Sequence, residues 1–181
     1  MRHTISVLVQ NHPGVLSRVT NLFSARGYNI DSLVVGTTEN EKFSRMTIVV
    51  DGDDRIIDQV EKQLKKLIEV KTVVDLSKED FISRDLALIK IKAEKSNRNE
   101  VMDIIQAFNA KIVDVGLKSF VIEVTGKESK INAMIELLKS FGILELVRTG
   151  EVAIARGKRF YENVAPTKIK VQLASEDQIN L

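Results

Sequence analysis

Apolar residues recur along the chain with two periods. Ile5, Val7 and Val9 stand among Thr4, Ser6 and Gln10, the period-two alternation of a strand. Val15, Leu16, Val19, Leu22 and Phe23 then follow at helical spacing, with Gly27 where a C-terminal cap glycine belongs. Residues 29–37 are β-rich again, and Met46, Ile48 and Val50 give a third strand after a polar loop. The run "DGDD" at 51–54 supplies turn and N-cap residues. Ile56, Ile57, Val60, Leu64, Leu67 and Ile68 mark a second helix, with Glu61 and Lys65 as an i,i+4 pair on its wet side. Val70 to Leu76 reads as a fourth strand, which makes the order βαββαβ.

The second half repeats that order. Leu86 to Ala93 reads as a strand, and Val101, Ile104, Ile105 and Phe108 form a helical stripe. Asn97 and Glu100 have the spacing of a capping box. Ile112 to Leu117 and Phe120 to Val124 read as two strands with a tight connection. Ile131, Met134, Ile135 and Leu138 form another helical stripe before Gly142, and Leu144 to Ile154 is β-rich. The halves share a pattern with little residue identity, at an offset of roughly 80 residues.

The fold class is therefore α+β, with two ferredoxin-like βαββαβ domains whose antiparallel sheets carry helices on one face. Residues 1–77 form the first domain and 86–157 the second. The polar stretch "SKEDFISRD" supplies a linker at 78–85. In the tail, residues 158–181, "TKIKVQL" alternates like a short strand and "ASEDQINL" gives no signal. A four-stranded sheet of this kind leaves its second face and its edges uncovered, and a partner chain is the natural cover.

Composition narrows the function. Of 181 residues, 44% are hydrophobic and 29% charged, which suits a folded globular chain and not a disordered one. No apolar run is long enough to span a bilayer, and the start of the chain lacks a signal-peptide core, so a cytoplasmic protein is expected. There is no cysteine for disulfides or thiolate metal sites. The 27 basic and 25 acidic residues are interspersed, which gives no electrostatic footprint for nucleic acid. An RNA-binding reading of the same architecture needs aromatics on the two central strands. The first half has none there and the second has only Phe120.

The stretch "NHPGVLSRVTNLFSARGYNIDSL", Asn11 to Leu33, stands apart. Pro13 suits a first helical turn, where its missing N–H is no loss. Gly14 lets another group approach the backbone, and the free N–H groups and dipole of a helix start favour an anion. The amides of Asn11 and Asn29 can accept from an ammonium and donate to a carboxylate. Within one chain the topology sends Asn29 to the opposite end of the sheet, so a two-fold pair of chains is needed to bring it to Asn11. The ligand that matches is a free α-amino acid. Val15, Leu16, Ile30, Leu33, Val34 and Val35 are apolar, and no charged residue is counted in the immediate loop, which points to an aliphatic side chain.

The segments "SVLVQNHPGVLSRVTNLFSARGYNIDSLVVG" and "SRMTIVV" closely resemble the N-terminal ACT domain of the acetolactate synthase regulatory small-subunit family. The resemblance continues more loosely through "VEKQLKKLIEVKTVVDL" and "RDLALIKIKA" to "VAIARG", over roughly residues 1–157. It implies an N-terminal ACT domain and a C-terminal ACT-like domain, and a homodimer with ACT domains side by side. It implies a branched-chain amino acid, valine first, bound at that interface by Asn11, Gly14 and Asn29, with apolar contacts from Leu16, Ile30, Val34 and Val35. It implies a chain with no catalytic residues of its own, which activates a catalytic large subunit and makes it sensitive to feedback inhibition. Thiamine diphosphate, Mg²⁺ and FAD are then expected on that partner and no cofactor here. The alternative is a stand-alone amino-acid sensor acting on another partner.

Other chemistry is thin. His3 and His12 are the only histidines, and His12 reads as a solvated loop residue. Asp51, Asp53 and Asp54 cluster, with spacing that suits a turn and helix cap better than a metal site. Arg45 can serve a partner interface or pair with Glu39 or Glu41. The second half has "AEKSNRNEV" in place of Pro-Gly, so no second amino-acid site is expected there.

Overall fold

The structure, a computed structural model, describes residues 1–157; the strand-like reading within 158–181 lies outside the described residues. The first half runs β1 (Arg2–Gln10), α1 (Val15–Ser24), β2 (Ile30–Thr37), β3 (Phe43–Asp51), α2 (Asp54–Leu64) and β4 (Val70–Asp75), then a 3₁₀ turn at Leu76–Lys78. The second runs β5 (Phe81–Lys92), α3 (Arg98–Ala107), β6 (Lys111–Val115), β7 (Ser119–Gly126), α4 (Glu128–Lys139) and β8 (Ile143–Arg148), with an added β9 (Val152–Ala155). The sheets are ordered β2-β3-β1-β4 and β6-β7-β5-β8, with β9 also on β5, and the paired strands are antiparallel. These are the two ferredoxin-like units that the periodicity predicts.

In the first unit Ile5, Val7, Val9, Met46, Ile48 and Val50 meet Val15, Val19 and Phe23 of α1 and Ile57, Val60 and Leu64 of α2 in one core. Helix α1 ends as its glycine foretells. Gly27 has φ +70°, its N–H bonds Ser24 O at 3.0 Å, and the Tyr28 N–H reaches back to Phe23 O at 3.1 Å. Asp53 caps α2 by accepting from the Ile56 N–H at 2.8 Å, and Lys65 meets Glu61 at 2.6 Å. Asp58 binds Lys78 at 3.1 Å, and that hydrogen bond and charge hold its carboxyl below the usual range.

Three local readings change. The second face of the first sheet is not uncovered, for Thr4, Ser6 and Thr47 are buried. The 3₁₀ turn lends the Ser77 hydroxyl to the Thr4 N–H at 2.8 Å, and Arg45 lies over this face and donates to Ser6 Oγ at 3.1 Å. The polar linker shrinks to Glu79 and Asp80, because Phe81 to Arg84 already extend β5 and pair with β9. The β-rich run at 144–154 is broken by a bend at Thr149–Glu151 that bulges from β5.

His3, for which no local pattern suggests a role, is buried with Nδ1 3.1 Å from Asp75 Oδ2 and Nε2 3.6 Å from Asp54 Oδ1. It ties the start of β1 to the end of β4 and the start of α2.

The capping box at α3 does not form. Asn97 has φ −120° and ψ 1°, outside the extended region that N-cap geometry needs, and makes no side-chain cap bond. Arg98 organises this corner instead. Its Nη2 donates towards the carbonyls of Ala93, Gly116 and Leu117 at 3.3, 3.1 and 3.0 Å, and its guanidinium lies 4.8 Å from the centre of the Phe120 ring. Phe120 is buried in the core between the second sheet and its helices and presents no stacking platform. Arg98→Ala is expected to destabilise the second unit by about 2 kcal/mol, from the lost charged hydrogen bonds and ring contact. Urea unfolding of the variant against the wild type reads this directly, and an unchanged midpoint contradicts it.

Candidate functional site

The site is built at the turn from β1 into α1. Strand β1 ends at Gln10, and Asn11 is fixed by two bonds to the β2–β3 loop, its backbone N–H to Lys42 O and its Nδ2 to Glu41 O, both at 2.8 Å. The helix begins at Val15, not at Pro13. Gly14 is the N-cap, with φ +90° and ψ −15°, a left-handed conformation that only glycine adopts freely. Pro13 therefore stiffens the approach to the cap and is not itself a helical residue. His12 is exposed, its Nδ1 3.2 Å from Pro13 O.

No side chain caps α1, and its first turn holds no acidic residue. A Cβ placed on Gly14 would meet nothing within 4 Å. The positive end of α1 thus opens onto free volume, an arrangement suited to a carboxylate. Leu16, 44% exposed, stands beside it.

Asn29 lies elsewhere. Ile30 pairs with Val50, which pairs with His3, so Asn29 sits beside the start of β1. Asn11 stands eight residues up that strand, about 26 Å away at strand spacing. The structure brings Asn11, Gly14 and Leu16 together and keeps Asn29 and Ile30 at the far end of the same sheet. Val34 and Val35 lie between, with Val35 40% exposed and Ile30 packed against the core. The strand carrying these residues, β2, is an edge strand.

A charged group missed in the sequence also belongs here. Asn29 Nδ2 donates to Asp31 Oδ1 at 2.9 Å, so a carboxylate does stand beside Asn29, on β2 rather than in the loop. Its signal was the Asn-x-Asp spacing, which sets two short polar side chains two residues apart. Asp31 is also the residue at which the β2–β3 register shifts.

Asp31 opens onto a cleft of about 460 Å³ between the two units, lined also by Arg2, Asp85, Glu128, Arg148 and Glu151. Arg2 pairs with Glu128, and its Nη2 lies 3.5 Å from Glu151. Arg148 is held by Asp85, with Nε at 2.8 Å, and donates to Asn132 Oδ1 at 2.8 Å.

Among the described residues no group of three or more His, Asp or Glu is placed to hold a metal ion. Asp51 pairs with the terminal ammonium at 3.0 Å, and Asp53 is occupied by its helix. Among the described residues no helix is long and apolar enough to cross a membrane.

Residues 5–72 match the family described as AHAS small subunit-like ACT domain, and residues 84–157 the family described as small subunit of acetolactate synthase. An acetolactate synthase small subunit of Mycobacterium leprae is 49% identical over 157 residues, 87% of this chain and 93% of that protein. One from Aquifex aeolicus is 51% identical over 156 residues, 86% of this chain and 81% of that protein. The crystal structure of the acetolactate synthase small subunit from Thermotoga maritima superposes with a TM-score of 0.81 at 41% identity, covering 88% of this chain and 99% of that one.

Proposed function

Because the chain belongs to the acetolactate synthase small-subunit family, we propose that it regulates a catalytic large subunit and that a branched-chain amino acid, valine foremost, is its effector. In this reading the chain carries no catalytic group. Thiamine diphosphate, Mg²⁺ and FAD reside on the large subunit, which this chain activates and makes sensitive to feedback inhibition.

The observation that carries the reading is the uncapped start of α1 at Gly14, open where a side chain would otherwise stand. Strand β2 supplies the rest. Two copies that pair β2 with β2 antiparallel about a two-fold axis reverse the ends of the strand. The Asn29 end of one copy then faces the Thr37 end of the other, which is the end that carries Asn11 and Gly14. The effector's carboxylate meets the helix start, with charge-assisted bonds worth about 1.5–3 kcal/mol each. Asn11 and the partner's Asn29 orient the carboxylate and ammonium, and Asp31 beside Asn29 adds an acceptor for the ammonium. Leu16 and Val35 receive the aliphatic side chain and Ile30 borders it, while Val34, expected among them, faces the other side of the strand.

Calorimetric titration with valine, leucine and isoleucine, against alanine and glutamate, tests this. Alanine lacks two carbons of valine and is expected to bind roughly tenfold more weakly, from about 0.8 kcal/mol per buried carbon. Heat with glutamate and none with valine overturns the proposal.

A further inference from the structure

The face of β2 turned away from the helices is in contact with the second unit. Leu33 packs into the core under α1 and α2, so Ser32 and Val34 point to the other side. There the Thr149–Glu151 bend rests on them. The Glu151 N–H donates to Ser32 Oγ at 3.2 Å. Gly150 comes so near that a Cβ on it would collide with Ser32 Oγ and stand 3.1 Å from Val34 Cγ2. Its φ of +86° is a second reason for glycine there.

The bend is itself held firmly by its own unit. The Thr149 N–H bonds Leu86 O at 3.0 Å, the Leu86 N–H bonds Thr149 Oγ1 at 3.1 Å, and Thr149 Oγ1 lies 3.1 Å from Asp85 Oδ1. Asp85 is buried and in turn holds Arg148. Arg2 straps the start of β1 to Glu128 and Glu151 alongside. A rigid corner of the second sheet is thus pressed on the strand that bears Val34 and Val35 and follows directly on Asn29. On the bonded side of that strand, Asn29 holds Asp31 at the register shift immediately before Ser32.

We propose that the Thr149–Glu151 bend is the element through which the second unit senses effector occupancy on β2. The inference rests on the amino-acid site proposed above. An effector that takes the Asn29 amide competes with Asp31 for it, and the local register of β2 changes where Ser32 and Val34 meet the bend. Close-packed contacts pass such a shift on and do not absorb it. The bend then moves with β2, and the second sheet with the bend.

Gly150→Val tests this in the complex reconstituted with the catalytic subunit. The added side chain, on a left-handed backbone, crowds Ser32 and Val34 and breaks the fit of the bend on β2. Valine affinity of the variant alone, read by calorimetry, is expected within roughly threefold of wild type, while its inhibition of the complex weakens by roughly fivefold or more, the low end of usual coupling. A change in affinity beyond that range means the substitution acts on the effector site itself, and the inference fails. A folded variant that inhibits as fully as wild type overturns the inference and leaves the effector site standing. A wild-type chain that takes up no valine removes both. Hydrogen exchange on the unmodified chain gives a check independent of the variant's folding. Valine is expected to alter exchange of the amides at 149–152 by roughly threefold or more. Unaltered exchange there, with valine bound, also overturns the inference.

Discussion

On the proposed reading, Gly14→Asp is expected to abolish feedback inhibition while leaving the chain folded and able to activate its partner. The space at this position is open, for a Cβ meets nothing within 4 Å. The new carboxylate therefore enters the volume that the effector's own carboxylate would use, and repels it. Losing two charge-assisted bonds of about 1.5–3 kcal/mol each weakens binding by roughly 100-fold or more. The fold is spared by two opposing effects. The left-handed backbone, φ +90°, costs a side chain about 1 kcal/mol, and aspartate tolerates it better than most residues. An acid at a helix start returns about 0.3–1 kcal/mol. Inhibition curves of the reconstituted complex, with valine calorimetry on the variant alone, measure the result. Gly14→Ala adds the strain without the charge and should fall between. A Gly14→Asp complex that valine still inhibits fully would place the effector elsewhere.

Phe23→Ala is expected to have the largest effect on stability. Phe23 is fully buried under the first sheet, and its carbonyl accepts the Tyr28 N–H that closes α1. Truncation leaves a cavity and costs about 3–5 kcal/mol. A chain of this size that unfolds as one shifts its melting temperature by roughly 2–4 °C per kcal/mol, so a fall of more than about 6 °C is expected. Phe23→Leu, closer in volume, should cost less than about 1.5 kcal/mol. Thermal melts followed by circular dichroism separate the two. Near-equal melting temperatures for the alanine variant and wild type would mean that the α1 contact is not central to the core.

The contrast between what periodicity revealed and what it hid has a physical basis. Ile5, Val7 and Val9, and the stripes through Phe23 and Leu64, announce their elements because burial on one face repeats with the geometry of the backbone. Gly27 and Asp53 mark helix ends because each has a local task that few residues perform. Such features depend on neighbours in sequence. Thr4, Ser6 and Thr47 look like a wet face and are buried, because what covers them comes from far along the chain. The His3–Asp75 pair joins residues separated by 72 positions, and no local pattern signals it. The Asn97 cap failed because a capping motif states which atoms are available and not the backbone angles that bring them together.

The candidate site divides in the same way. Gly14 and its open helix start were legible, since a glycine directly before an amphipathic run leaves the first N–H groups of the helix without a side-chain cap. That Asn29 stands far from Asn11 followed from the antiparallel order alone. Asp31 was hidden by a register shift, and the break at Thr149–Glu151 by a β-rich run with no proline to interrupt it. Gly150 in that run was a sign of a bend, but nothing nearby indicated that Ser32 would be its neighbour.

Strand β5 runs for twelve residues, a rod of about 40 Å, and begins two residues beyond the 3₁₀ turn that ends the first half. A protease looking for slack between the halves finds only Glu79 and Asp80. Cutting the gene at the expected linker would sever the rod from its β9 neighbour, so each piece would carry a raw edge. Digestion is better read as a single survival time for the whole chain than as a route to two separable halves.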